Sequence, residues 1–293
     1  MSRVFQPWFY SDIIYKLTPL FTRQEQLKKI IHGFIDDLIC KKKELIREVD
    51  GNEAETNDPH IKLNFKTFVE LMIENSKDDA YTQEELRDES LVLLGAASDT
   101  SAVGICYTIL LLSQHTDVQE RVYKEIKEVI GDSNNPLQLS DLVNLKYTKA
   151  VINETLRLYP PAPFILRSCK EDLKLPSGIT LPKGAHVIIN IWGIHHNSQH
   201  WGEDVNDFNP DRFMSEQIPK AFMPFSYGQR NCIGQQYAMM SLTTTLVTLL
   251  RHYRFTPATS FTYDKNNPLR LSFDVMLKHI DRYPVQIEDR DKL

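Results

Sequence analysis

Residues 225–234 read Phe225-Ser226-Tyr227-Gly228-Gln229-Arg230-Asn231-Cys232-Ile233-Gly234 and stand directly before a helical pattern. A thiolate at a helix start is favoured by the helix dipole and by backbone N–H groups that lack a partner inside the helix. Gly228 and Gly234 permit a tight loop and the close approach of something flat. Arg230, two residues before the cysteine, can pair with a carboxylate of that same object, and Phe225 offers it an aromatic wall. The physical reading is a sulfur ligand presented to a planar, acidic metal cofactor. The competing reading is a buried cysteine at a helix cap, the fate of most single cysteines.

The rest of the chain sets the context. It has 293 residues, 42% hydrophobic and 25% charged, with a formal net charge of −5. These values sit on the averages for globular protein and exclude a disordered or collagen-like chain. The slight acidity gives no electrostatic footprint for nucleic acid. Only 11 glycines favour helices over a sheet-and-turn architecture. The cysteines at 40, 106, 169 and 232 form no C-x-x-C pair, which excludes a zinc ribbon or a thioredoxin-like motif. So low a density also argues against a disulfide framework.

Working along the chain, Leu27, Ile30, Ile31, Phe34 and Leu38 predict a helix over 22–47. The acidic run 50–58 reads as a loop, and a short helix follows around 65–75. Thr82 and Glu85 form a capping box that opens a long central helix. Residues 91–112 of that helix are about as long as a membrane span, yet Asp99 stands in the middle between Ser98 and Thr100. A charge there is costly in lipid, so the stretch reads as the central helix of a large helical protein. Helices are expected to Gly131 and over 140–158, the latter stopped by Pro160-Pro161. Short strand-like runs fill 164–190, an irregular segment rich in Pro, Asn and aromatics covers 197–231, and a last helix runs from about Cys232 to His252. Alternation near 270–277 and 285–287 suggests a terminal hairpin.

The pattern F-x-x-G-x-R-x-C-x-G arises by chance on the order of once in 10⁴ chains of this length. It resembles the cysteine-ligand loop of the cytochrome P450 monooxygenases, in which a cysteine thiolate holds haem iron. Other motifs of that family follow in order. Glu154-Thr155-Leu156-Arg157 matches its E-x-x-R; Glu44/Arg47 and Glu84/Arg87 share the spacing but read as surface pairs. Only 154/157 precedes Leu158-Tyr159-Pro160-Pro161 and, further on, Pro210-Asp211-Arg212-Phe213. The resemblance implies a buried ion triad of Glu154, Arg157 and Arg212, structural in role, which pins the irregular segment beneath the haem.

Ala96-Ala97-Ser98-Asp99-Thr100-Ser101 resembles the family's A-G-x-D-T-T/S on the helix crossing the distal haem face. Read alone, it is equally a polar patch within a helix core. The resemblance assigns Asp99 and Thr100 to proton delivery toward dioxygen. Ala97 stands where a kink-permitting glycine is usual. Ala96 stands where many relatives carry a Glu that esterifies the haem, so the haem is expected to be removable by acidic organic solvent. Arg167 is expected as a second propionate partner, with Phe225, Arg230, Cys232 and Gly234 completing the haem contacts. Ala97, Ala162, Phe164, Ile165 and Phe273 are expected to line the substrate pocket. His195, His196 and His200 have metal-like spacing, but they fall in I-W-G-I-H-H-N-S-Q-H-W, where the family has no ligands.

The wording K-Y-T-K-A-V-I-N-E-T-L-R-L-Y-P-P and N-C-I-G-Q-Q-Y-A is similar to the microsomal, fatty-acid-hydroxylase-like clan 4, including its insect members. The expected fold is mainly α with small β-sheets, corresponding to the C-terminal portion of the cytochrome P450 fold. Residues 1–293 are expected to form a single partial domain without the membrane anchor, first sheet and early helices. The implied cofactor is haem b, with electrons from NADPH through NADPH–cytochrome P450 reductase and cytochrome b5. The implied setting is the cytosolic face of the endoplasmic reticulum with peripheral membrane contact, and the implied substrate is small and lipophilic. Fatty acids, terpenoid hormones and xenobiotics all suit a lining without a distinctive polar anchor. A reading from another class is a catalytically dead remnant that keeps the motifs but holds no haem. The isolated chain is expected to aggregate, because its helices lack apolar partners.

Overall fold

Residues 6–51, 66–75, 81–131, 135–215, 217–259, 261, 268–273 and 275–290 are described in the computed structural model. Their contacts divide the chain into two units, 1–98 and 99–293.

The first unit holds α1 (Asp12–Lys16), α2 (Pro19–Gly51), α3 (Phe68–Asn75) and the start of α4 (Gln83–Gln114). The capping box at α4 has the expected geometry: Thr82 N–H donates to the Glu85 carboxylate at 2.8 Å, and Glu85 N–H to Thr82 Oγ1 at 3.2 Å. The loop expected over 50–58 lies largely outside the described residues. Ile35, Ile39, Met72, Ile73 and Leu86 form this unit's core. The periodicity that predicts α2 belongs to its other side: Leu27, Ile30, Ile31, Phe34 and Leu38 are exposed, Ile30 at 69%. α2 thus carries two apolar faces, one buried in this core and one exposed, and it extends past the predicted bounds at both ends.

The second unit continues α4 and adds α5 (Thr116–Ile130), α6 (Leu139–Asn144), α7 (Lys146–Leu158), α8 (Ile191–His195), α9 (Ser198–Trp201) and α10 (Gln235–His252). By length and composition α4 could cross a membrane. Its second half instead buries Tyr107, Leu110, Leu111 and Leu112 in the main core, with Val122, Val151, Leu156, Leu246 and Phe255. Gly104 allows this approach: a Cβ there would meet the Leu242 side chain at 3.4 Å and Leu156 at 3.7 Å.

One helix was expected over 140–158, and the chain makes two. Leu145 breaks them, fully buried and at non-helical φ −77°, ψ 67°. The Glu125 carboxylate of α5 takes the freed amides, accepting from Tyr147 N–H at 2.7 Å and Thr148 N–H at 2.8 Å. These are the unsatisfied donors of a helix start, capped by a side chain more than twenty residues upstream.

Four two-stranded antiparallel sheets complete the described residues: β1 (Phe164–Ser168), β2 (Leu173–Lys174), β3 (Thr180–Leu181), β4 (His186–Asn190), β5 (Tyr253–Pro257), β6 (Leu271–Phe273), β7 (Leu277–His279) and β8 (Val285–Asp289). β1 pairs with β4, β2 with β3 and β6 with β7. The terminal hairpin expected between the 270–277 run and 285–287 does not form. The 285–287 run pairs with β5, placing Phe255 opposite Ile287. Buried Gln119 fixes that sheet, accepting from Phe255 N–H at 2.9 Å and donating to its carbonyl at 2.8 Å.

Candidate active site

The Cys232 loop is built by its backbone. Cys232 N–H donates to the Phe225 carbonyl at 2.9 Å, closing a hairpin-like loop between them. Ser226 at φ 65° and Gly228 at φ 84° make the reversal, a left-handed conformation that glycine adopts without cost. Asn231 N–H donates to the Gly228 carbonyl at 3.1 Å inside it. The following helix begins at Gln235, with Gly234 as its cap, so Cys232 belongs to the loop and not to the first helical turn. Its thiol is free and exposed, and the neighbouring Ile233 is 93% exposed.

A cation reaches this loop from outside it. Arg167 projects from β1, and its Nη2 donates to the Arg230 backbone carbonyl at 3.2 Å. Strand and loop are thereby joined at two arginines, Arg230 read from the loop itself and Arg167 implied by the family resemblance as a propionate partner. Nothing fills the space where a Gly228 Cβ would stand. A free thiol, two guanidiniums, an aromatic at the loop base and an uncrowded glycine fit the donor set of a haem with its propionates.

Glu154, Arg157 and Arg212 meet in the interior. Arg157 Nε and Nη2 donate to the two Glu154 oxygens at 2.7 and 2.8 Å, both side chains being fully buried. Arg157 Nη1 donates to the carbonyls of His195 at 3.0 Å and Val205 at 2.7 Å, and Nη2 to Asp207 at 3.3 Å. All five guanidinium N–H groups are therefore used. Glu154 also accepts from Asn209 N–H at 2.9 Å, and Arg212 Nε lies 3.4 Å from it. Arg212 donates to the carbonyls of Trp201 and Asp204 at 2.8 and 2.7 Å. The irregular segment is ordered without regular ladders because two guanidiniums satisfy its backbone carbonyls. The look-alike Arg87 has a different role, contacting Asp36 at 3.3 Å and Glu84 at 3.8 Å within the first unit; the Arg47 side chain lies outside the description.

On α4 the helix runs unbroken through Ala96–Ser101, with Ala97 exposed and Ser98 Oγ donating back to the Leu94 carbonyl at 2.6 Å. Asp99 is ion-paired to Lys278 of β7 at 3.0 Å, a partner with no sequence signal. Among the expected pocket residues, Phe164 and Phe273 pack edge to face with centroids 5.2 Å apart. Leu277 N–H donates to the Pro161 carbonyl at 2.9 Å, fastening the β6–β7 hairpin to the turn that carries Ala162 and leads into β1, where Ile165 lies. A separate cavity of about 760 Å³, lined by His115, Tyr159, Trp192, His196 and Phe208 among others, contains none of the expected site residues.

The three histidines do not converge. His195 is buried between Arg157 and Met223, His196 stacks on Trp192 at 4.0 Å, and His200 is exposed. Sequence reasoning missed Glu125 and Lys278, and saw His195 only as one of three closely spaced histidines.

The family model for cytochrome P450 matches residues 1–279. Among curated proteins, the chain is 34% identical over 262 residues to cytochrome P450 4X1 of Mus musculus, covering 87% of this chain and 50% of that protein. It is 34% identical over 267 residues to probable cytochrome P450 313a4 of Drosophila melanogaster, covering 89% and 52%. Cytochrome P450 4F12 of Homo sapiens is 34% identical over 257 residues, covering 85% and 48%. The chain thus spans about half the length of the curated relatives it matches. With a mainly helical architecture and the motifs in their order, the chain belongs to the cytochrome P450 family.

Proposed function

We propose that this chain carries the haem-ligating part of a monooxygenase that inserts one atom of dioxygen into a lipophilic substrate. The observation that carries the reading is the free, exposed Cys232 on a loop closed onto Phe225, with Arg167 bonded to the same loop. When bound, haem supplies the iron redox chemistry that dioxygen requires. Cys232 would give its thiolate to the iron, Arg167 and Arg230 would hold the propionates, and Phe225 would pack on the ring. Asp99 and Thr100 would hold and pass a proton, with the Lys278 ammonium orienting the Asp99 carboxylate. Phe164 and Phe273, with Ala162 and Ile165, would form apolar walls that admit the substrate and exclude water. Glu154, Arg157 and Arg212 would keep the segment leading to the loop in place. Electrons would come from NADPH through a flavoprotein reductase, with cytochrome b5 as a second donor, at the cytosolic face of the endoplasmic reticulum.

Cys232→Ser in the complete protein tests the ligand. Loss of the thiolate-type band in the reduced carbon monoxide spectrum is expected, and an unchanged spectrum overturns the reading. With Ala96 unable to form an ester, acidic organic solvent should strip all the haem from the denatured chain.

A further inference from the structure

The ring of His195 joins two backbone groups for which no other partner stands among the described residues. Its Nδ1 lies 3.1 Å from the Arg157 carbonyl oxygen, and its Nε2 accepts from Met223 N–H at 3.0 Å. Arg157 stands in the last turn of α7, so its carbonyl would ordinarily accept from the amide four residues on. That residue is Pro161, which has no N–H. Because Met223 N–H is a fixed donor, Nε2 must be the bare nitrogen and Nδ1 must carry the proton.

What lies beyond Met223 gives this bridge its consequence. The Met223 carbonyl accepts from Ser226 N–H at 3.0 Å, and Phe225 in turn holds Cys232 N–H. A chain of contacts runs from α7 through the His195 ring to the base of the cysteine loop. Phe222 stacks on the ring at 5.7 Å and Trp201 meets it edge-on at 6.3 Å, so aromatic side chains flank it on two sides.

We propose that His195 is a positioning residue: its neutral Nδ1–H ring fastens the base of the Cys232 loop to the end of α7, and protonation of the ring releases it. A second ring proton would set an Nε2–H donor against the Met223 N–H donor. Among the described residues, the charged and titratable groups that act on the ring are Arg157 from α7, neutralised by Glu154 on the same helix, and the adjacent His196. Burial, more than any of these charges, disfavours the imidazolium and holds its pKa down to about 4. Assigning the loop a catalytic purpose rests on Cys232 as the iron ligand; the tether itself does not.

Two measurements on the full chain test it. In ¹⁵N-histidine NMR, His195 should show a bare Nε2 at pH 7 and resist protonation until the pH nears 4. An Nε2–H tautomer, or titration near the ordinary 6.5, overturns the proposal. In hydrogen exchange, His195→Leu should speed the amides of 221–232 about tenfold at pH 7, as expected for one lost buried bond. After correction for intrinsic rates, the wild type should loosen progressively as the pH falls from 6.5 to 4, and the variant should show no such step. His195→Gln, whose amide oxygen can still accept from Met223, should restore part of the protection. Unchanged exchange in a folded His195→Leu protein overturns the proposal, and if no variant folds, the wild-type tautomer and titration decide. Neither readout needs ligated iron, so a failure here is distinct from a failure of the Cys232→Ser test.

Discussion

Asp99 and Lys278 form an ion pair at 3.0 Å that joins α4 to β7 across 179 residues of chain. Both side chains are nearly half exposed, so solvent screens the pair and its structural worth is about 0–1 kcal/mol. Lys278→Met should therefore leave the denaturation midpoint almost unchanged. If Asp99 passes protons, Asp99→Asn and Thr100→Ala should both lower product formed per NADPH consumed while leaving haem content intact. Unaltered coupling in both variants would remove Asp99 and Thr100 from the reaction.

Glu154→Ala should be far more damaging. It leaves Arg157 charged and fully buried without its carboxylate, at a cost of about 3–5 kcal/mol. Arg212, more exposed and bonded mainly to backbone carbonyls, should cost less on replacement by Ala. Urea denaturation of the two variants gives the ranking, and equal losses would contradict it.

Glu125→Ala removes the carboxylate that accepts from Tyr147, from Thr148 N–H and, at 2.6 Å, from Thr148 Oγ1. Thr148 is fully buried, so its amide is left without water as well. A loss of about 1–3 kcal/mol is expected, with faster amide exchange confined to the start of α7. Glu125→Gln, which keeps an acceptor oxygen, should recover part of it.

Acid should destabilise the fold through His195. Its pKa falls from 6.5 to about 4 on folding, so between those values the unfolded chain binds more protons. Stability from this group is complete above pH 6.5 and is lost as the pH drops toward 4, on the order of 3 kcal/mol in all. A His195→Gln protein should show a flatter stability profile over that window. Identical profiles would assign the acid sensitivity to other groups.

The exposed stripe on α2 makes the 293-residue chain by itself prone to association. Leu27, Ile30, Ile31, Phe34 and Leu38 present a continuous apolar face. Light scattering of the purified chain should show concentration-dependent aggregation, relieved by Ile30→Lys with Phe34→Lys. A monodisperse monomer at high concentration would contradict this.

What could be read from sequence was whatever carries its signal locally. The cysteine loop, E-x-x-R and the capping box at Thr82 each fit within ten residues, and the proline pair after α7 stops a helix wherever it occurs. The missed features depend on partners far away in the chain. Glu125 reaches Tyr147, Gln119 reaches Phe255 and Lys278 reaches Asp99. The break at Leu145 follows from Glu125 and not from its own neighbours. The pairing of β8 with β5 depends on where α10 ends, which no alternation at 285–287 announces. His195 was visible only as one of three closely spaced histidines, and nothing in the spacing distinguishes the ring that bridges α7 to Met223.

The saturation of Arg157 also bears on the order of assembly. Its guanidinium and that of Arg212 satisfy five carbonyls between His195 and Asp207, a stretch whose only regular structure is the short α9. Without those partners the stretch has no ladder of its own to settle into. It must wait for α7 to form and dock, and Arg212 must then arrive from within the segment that is being ordered. During refolding, pulse-labelled exchange should find amides 195–214 protected late, after α5, α7 and α10, as a single step and not residue by residue.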